Sequence, residues 1–402
     1  MKAFAITNKG MEDLCKEEIK ELISCKNTEE KETIVKFDFK NLEDICYLCY
    51  NAQSVEKIIY YLGECKVKEK IPENEIKKII EKIKWEKWLN KGDKFRVKCK
   101  REGEHDFSSQ DIEQNIGRII KGYLNKELKL NIDVELDAPD LIVYAYVYNN
   151  KLYLGIDFAG KDLSKRQYKI FNYPTSLKGT IGFGILKFSE FNPEKDKVLV
   201  NLFCHDGVIA IESTLYVSGL SVNYYDKEFI FRKIKPLKDK NWEKWFNDID
   251  KKAMKKIKNK ICAIDSDFRN IKAAKKNSKI AGIDKIIEFS KKEVDFLDIR
   301  FKEDSVDKII SYIPSVSKRN SEEKLKKLYD ELFYQLEFIL KENGSLNFIA
   351  RENDLVKEKA ERYFKLIREK EVWTGKKKLY FLQFELKKER PKDYKIIDKK
   401  KK

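Results

Sequence analysis

Residues 198–219 read VLVNLFCHDGVIAIESTLYVSG. Val198–Phe203 is a short apolar run of the buried-strand type, and Gly207–Gly219 follows as a helix with only a turn between them. A strand that feeds directly into a helix is the opening unit of an α/β sheet. The alternation continues downstream with Ile261–Asp265 and a helix to about Ala281, then Val306–Ser311 and a helix over Ser321–Lys341, then Ser345–Ala350 and Leu355–Phe364. Two strands, Lys370–Thr374 and Lys377–Leu386, close the pattern around a turn at Gly375. The prediction is an α/β, Rossmann-like, doubly wound parallel sheet ending in an antiparallel hairpin.

Upstream, the pattern is different. Ala3–Thr7 reads as a strand, Met11–Ile23 as a helix behind Gly10, Thr33–Phe39 as a strand, and Asn41–Leu62 as one long helix with Asn41 as its cap. These predict a small α+β layer of the ferredoxin type. A second unit follows: a helix over Glu73–Trp85, an alternating strand over Lys94–Lys100, and a helix over Ser109–Leu130 capped by Ser108 or Ser109. Its last element is a hairpin, Leu141–Tyr148 with Lys151–Asp157, turning at Asn149-Asn150. Gly160–Tyr173 is short, polar and basic, as a linker is, and Thr175–Phe188 reads as a helix leading into the second half.

The 402 residues are too many for one ordinary domain. Basic residues outnumber acidic ones by 85 to 68, a net charge of +17, which draws polyanions and nucleic acid above all. Eight cysteines are irregularly spaced, and the one CxxC, Cys46 to Cys49, lies in a helical pattern. With only two histidines in the chain, no zinc ligand set is evident, and the thiols read as reduced core residues of a cytoplasmic protein without metal. No run approaches the roughly 20 apolar residues of a membrane span. Lys9, Glu12 and Asp13 interrupt any leader-like stretch.

Ligands of open α/β sheets bind beyond the carboxyl ends of the strands. After the first strand, Asn201-Leu-Phe-Cys-His-Asp-Gly207 contains one small residue, Gly207, able to let a ligand approach the backbone. After the second, Asp265 is in place to accept ribose hydroxyls and Asp267 to cap the next helix. After the third comes Ser311-Tyr-Ile-Pro-Ser315, where Tyr312 offers a stacking ring and Ser311 or Ser315 a hydrogen-bond acceptor.

Three stretches carry a family resemblance. Phe95–Asp111, FRVKCKREGEHDFSSQD, resembles the RNA-binding THUMP domain of archaeal and bacterial RNA methyltransferases. Gly155–Tyr168, GIDFAGKDLSKRQY, and Tyr173–Phe188, YPTSLKGTIGFGILKF, are similar to the segments that leave that domain in the same proteins. Nearly the whole chain, including the N-terminal ferredoxin-like region and the insertion around Trp242 and Trp245, resembles the THUMP-containing tRNA guanine-N2 methyltransferases of archaea, class I enzymes that use S-adenosyl-L-methionine.

The resemblance implies site residues. Asn201, Phe203, Gly207, Asp265, Glu293 and Val294 fall at cofactor-binding positions, with Glu212 at the family's Glu position. Ser311, Tyr312 and Pro314 fall in the catalytic loop, and Lys98, Lys100, Arg101, Lys165 and Arg166 at the basic RNA-binding positions. Both motifs of the catalytic half are degenerate. The cofactor loop Asp-Pro-x-Cys-Gly-Ser-Gly-Thr becomes Asn201 to Val208, with His205 crowding the methionine portion and Asp206 adding a carboxylate near the cofactor's own. The catalytic Asn/Asp-Pro-Pro-Tyr becomes Tyr312-Ile313-Pro314-Ser315. Two readings follow: a methyltransferase acting on a guanine amine of tRNA, or a pseudoenzyme that binds tRNA or RNA without methyl transfer. Either is expected as a cytoplasmic monomer with tRNA as partner and no membrane. Residues 1–68 are expected as the ferredoxin-like domain, 69–159 as THUMP, 160–182 as linker and connecting helix, 183–388 as the methyltransferase domain and 389–402 as a basic tail.

Overall fold

The computed structural model describes residues 1–173, 176–253, 257–317, 320–389 and 391. The expected tail therefore lies outside the described residues apart from Glu389 and Pro391, as does the start of the predicted helix at Thr175. The chain forms two compact units that cut across chain order. One comprises Met1–Thr7, Lys16–Leu163 and Asp226–Asp250; the other Asn8–Cys15, Ser164–Tyr225 and Lys251–Lys402.

The first unit is built on a single eight-stranded sheet. Its strands are β1 (Lys2–Thr7), β2 (Thr28–Lys31), β3 (Ile34–Asp38), β4 (Val55–Lys66), β5 (Lys94–Glu102), β6 (Asp133–Val134), β7 (Leu141–Tyr148) and β8 (Lys151–Asp157). They run in the order β2-β3-β1-β4-β8-β7-β5-β6. The long helix expected over Asn41–Leu62 is a correction: the helix is Leu42–Asn51, and β4 begins at Val55. Asn41 and Asp44 do form a full capping box, so the start was legible. The end was not. Val55–Lys66 is rich in Ile and Tyr, which suit a pleated surface, and β4 has a partner on each side, β1 and β8. The β4–β8 contact also explains Gly155. A Cβ there would stand 2.3 Å from the Tyr60 carbonyl oxygen.

The segment Asp226–Asp250 completes this unit. Phe231, Trp242, Trp245 and Phe246 form an aromatic cluster with Tyr50 of the helix Leu42–Asn51. The Tyr50 hydroxyl donates to Asp250 at 2.8 Å.

The second unit carries β9 (Val198–Asn201), β10 (Lys260–Asp265), β11 (Ile287–Lys291), β12 (Val306–Tyr312), β13 (Leu340–Ala350), β14 (Phe364–Thr374) and β15 (Lys377–Leu386). The order is β11-β10-β9-β12-β13-β15-β14. The first five are parallel, and β15 is antiparallel to both of its neighbours. Helices Gly179–Phe188, Val208–Ser218 and Phe268–Ile280 cover one face, and Glu322–Ile339 with Asp354–Ala360 the other, each over its own apolar core. The first strand of the sheet is central, and the chain winds outward from it in both directions. The crevice of such a sheet lies at the carboxyl ends of β9, β10 and β12.

Candidate functional site at the carboxyl ends of the parallel strands

The loop from Asn201 to Gly207 is held in an unusual backbone shape. Phe203 has φ +48°, His205 φ +50° and Gly207 φ +87°. Left-handed φ at every second residue is the conformation glycine adopts freely, and two of the three positions carry side chains that cost about 1–2 kcal/mol each there. The surroundings enforce it. The Leu202 amide donates to the Ser311 hydroxyl at 2.9 Å, the Cys204 amide to the Ile264 carbonyl at 3.0 Å, and the His205 amide to the Asp265 carboxylate at 3.0 Å. A side chain at Gly207 would force a shift: a Cβ would lie 2.8 Å from the Cβ of Ala274.

Asp265 stands at the end of β10, as predicted, but it is buried and already engaged. Besides the His205 amide it accepts from the Asp267 amide at 2.9 Å and from the Asn270 side chain at 3.0 Å. Asp267 caps the helix Phe268–Ile280 through the Arg269 amide. Asn201 spans β9 and β12 by donating to the Ile310 carbonyl at 2.9 Å, while its Oδ1 is buried without a hydrogen-bond partner. That oxygen is an acceptor waiting for a donor. Glu293 is exposed at the end of β11, and Val294 is buried in the core beneath it.

Asp206 departs from expectation. Its side chain is buried and accepts from the Ser176 hydroxyl, and the helix Phe268–Ile280 grips its backbone through Asn277. Burial pushes its carboxyl above the usual range, with Ser176 and Lys169 opposing.

The third strand end also requires a correction. Ser311 is fully buried and spends its hydroxyl on Leu202, so it supports the loop instead of facing an acceptor amine. The Tyr312 ring meets the His205 ring at 5.8 Å between centroids. Its hydroxyl accepts from Nε of Arg351 at 2.7 Å. Arg351, just beyond β13, is an exposed residue of the site that sequence reasoning missed; no motif marks it, because only the β12–β13 pairing brings it beside Tyr312. Pro314 accepts from the Tyr329 hydroxyl, which anchors the loop.

The basic residues chosen from sequence are mostly engaged within their own units. In the first unit, Lys100 pairs with Glu56 at 2.7 Å and Glu102 at 2.8 Å. Lys98 is half-buried, its ammonium pushed below the usual value mainly by desolvation. Arg101 contacts His105 at 3.1 Å, and His105 reaches the Asn149 carbonyl of the hairpin turn. In the second unit, Arg166 is a correction. It is buried, forming a bidentate pair with Glu212 at 2.7 and 3.2 Å, and Tyr168 donates to the same carboxylate. Its guanidinium is used inside the protein and is not presented to phosphate. Lys165 is exposed. Cys46 and Cys49 are buried free thiols. Among the described residues there is no group of metal-ligating side chains, and no helix is long and apolar enough to cross a membrane.

A central first strand, a left-handed loop after it and an acid after the second strand define a domain of the class I methyltransferase type. Comparison with known proteins agrees. Residues 166–380 match the model of the RMKL-like methyltransferase domain, and residues 72–157 match the THUMP domain. The chain belongs to the RMKL-like methyltransferase family and carries a THUMP domain ahead of the methyltransferase domain. It is 30% identical to a tRNA (guanine(6)-N2)-methyltransferase of Methanocaldococcus jannaschii, covering 89% of this chain and 92% of that one. It is 25% identical to the protein of the same name from Archaeoglobus fulgidus, over 71% of this chain and 68% of that one. In fold it is similar to a "possible methylase from Clostridium difficile 630", with a TM-score of 0.80 at 22% identity, covering 97% of this chain and 99% of that one.

Proposed function

We propose that this protein binds tRNA and transfers a methyl group from S-adenosylmethionine to the exocyclic N2 amine of a guanine, as the names of its archaeal relatives describe for them. The observation that carries the reading is the loop Asn201–Gly207, which keeps three left-handed residues although only one is glycine. A backbone held against its own preference at a strand end is a mark of a functional turn.

The backbone and the unpartnered Asn201 Oδ1 fit such a cofactor, and the His205 ring is the group that must turn aside to admit it. Asn201, Phe203, Gly207, Asp265, Glu293 and Val294 are the residues that would hold it. The bound cofactor supplies an electrophilic methyl group. The chain's own share is positioning: Asp265 fixes the loop, Ser311 supports it from below, and Tyr312 with Pro314 lines the side where the guanine would enter. The protein is taken to act as a cytoplasmic monomer.

A second reading, tRNA binding without methyl transfer, is favoured by one observation. Where the family has an amide or carboxylate to orient the amine, this chain has Tyr312, with its hydroxyl tied to Arg351 and His205 against its ring. Two measurements decide between them. Calorimetric titration with millimolar S-adenosylmethionine gives heat under the first reading. A labelled-methyl assay on unmodified tRNA transcript then places label in guanine. Label in guanine ends the second reading; no heat and no label ends the first.

A further inference from the structure

The helix Phe268–Ile280 has two unlike faces. Ile271, Ala273, Ala274, Asn277 and Ser278 are buried, and the small residues among them allow the close approach to Gly207. The opposite face carries Lys272, Lys275, Lys276 and Lys279, all exposed. Their spacing of three, four and seven residues aligns them on one side of the helix. None has a carboxylate partner among the described residues. This differs from β5, where Lys100 is closed by two glutamates.

Exposed aromatic rings flank the lysines. Phe268, in the first turn, is 61% exposed. The segment before the connecting helix lies along the same helix: the Phe171 amide and carbonyl both bond to Asn277, at 3.0 and 2.9 Å, and the Tyr173 hydroxyl donates to the Arg269 carbonyl at 3.3 Å. This leaves Phe171 38% and Tyr173 37% exposed. The Lys276 ammonium sits 4.4 Å from the Phe171 ring centroid. Asp267 caps the first turn directly after Asp265, so the stripe starts at the candidate site and runs from it for about 16 Å at 1.5 Å per residue.

We propose that this face is a binding surface for single-stranded RNA, with the lysines neutralising phosphates and Phe268, Phe171 and Tyr173 stacking on bases, so that it grips the strand leading to the site. Unpaired positive charge interleaved with exposed rings suits an unstacked strand, whereas a duplex offers its phosphates but not its base faces. The proposal rests on the tRNA reading above and adds to it where on the second unit the strand is held.

The test uses the full-length protein, tRNA, a single-stranded RNA oligonucleotide and a duplex of equal length. Replacing Lys272, Lys275, Lys276 and Lys279 together by alanine is expected to lower the slope of log K against log salt by about 3 for the single strand, at roughly 0.7 per phosphate. Phe268→Ala with Tyr173→Ala is expected to weaken single-strand binding on the order of tenfold or more and leave duplex binding unchanged. An unchanged melting temperature in both variants shows that the fold is intact, as expected for exposed positions; if the lysine variant melts early, Lys→Gln replacements take its place, and if the aromatic variant does, Phe268→Leu with Tyr173→Leu takes its place. Wild-type protein that binds tRNA, with a slope the lysine variant does not alter, overturns this surface and leaves the tRNA reading standing. Wild-type protein that binds neither tRNA nor the oligonucleotide overturns both. Equal weakening for single strand and duplex in the aromatic variant also overturns the single-strand assignment.

Discussion

Two basic regions of this molecule, β5 and the helix Phe268–Ile280, carry similar numbers of cations and use them differently. On β5, Lys100 is held by Glu56 and Glu102, Arg101 by His105 and the turn beside it, and Lys98 is half-buried. On the helix, four lysines of one face have no carboxylate to answer them among the described residues. The difference lies in the element. Residues of a strand share a face with the rest of their sheet and with the turns beside it and find partners there, while the lysine face of the helix meets solvent and the Phe171 ring. A basic motif therefore locates a position in the fold more surely than it locates a free charge.

That contrast can be broken most severely at Arg166. If its charge is internal, Arg166→Ala strands the Glu212 carboxylate in the core and costs about 3–5 kcal/mol, read as a large drop in the urea midpoint. Normal stability with weakened tRNA binding would return Arg166 to the RNA-facing set. Gly207→Ala comes next. The left-handed φ and the 2.8 Å approach to Ala274 predict a loss of about 1–3 kcal/mol, because the lysine-bearing helix must shift to make room. A neutral outcome would mean that the helix is not seated on the loop as described.

Lys100→Ala sharpens the comparison from the other side. Glu102 lies at the surface but Glu56 is mostly buried, so the expected cost is about 1–2 kcal/mol, with no change in the salt slope of tRNA binding. A slope reduced by nearly one unit would make β5 a phosphate contact after all. The smallest effect is expected at Asp206. Burial raises its folded carboxyl above the ordinary value, so the folded state holds that proton more tightly than the unfolded chain. Its contribution is then most favourable at low pH and declines as pH rises from the usual aspartate value through the raised one. Asp206→Asn should gain stability relative to wild type between pH 4 and pH 7. Melting temperatures of both proteins at each pH check this, and a constant difference would contradict it.

Much of the fold was legible. The hairpin Leu141–Tyr148 with Lys151–Asp157 is legible residue for residue, because two runs rich in Leu, Ile, Val and Tyr bracket an Asn-Asn turn. The alternation of strands and helices after Lys197 gave the parallel sheet. β4 reads as a continuation of the helix because Leu42–Asn51 is helical and Val55–Lys66 carries no strong break before it; its strand state depends on partners far away in sequence. Of the site, positions were legible and occupancy was not. Asp265 and Gly207 stand where motif order puts them. That Ser311 props the loop, that Arg166 is sealed against Glu212 and that Arg351 reaches Tyr312 are all products of long-range pairing, which spacing along the chain does not encode.

The discontinuous units have a consequence for how the protein is made. A ribosome delivers the chain from one end, yet the first unit needs Phe231, Trp242 and Phe246 to seal its helix Leu42–Asn51, so it stays unfinished until about residue 250 has emerged. The wait is longer at the other extreme. Asn8 bonds to Trp373 and Asp13 to Lys370, so among the first residues synthesised are some that find their partners only as the closing hairpin leaves the tunnel. The first unit can therefore close at mid-synthesis, while the segment Asn8–Cys15 waits for the closing hairpin of the second.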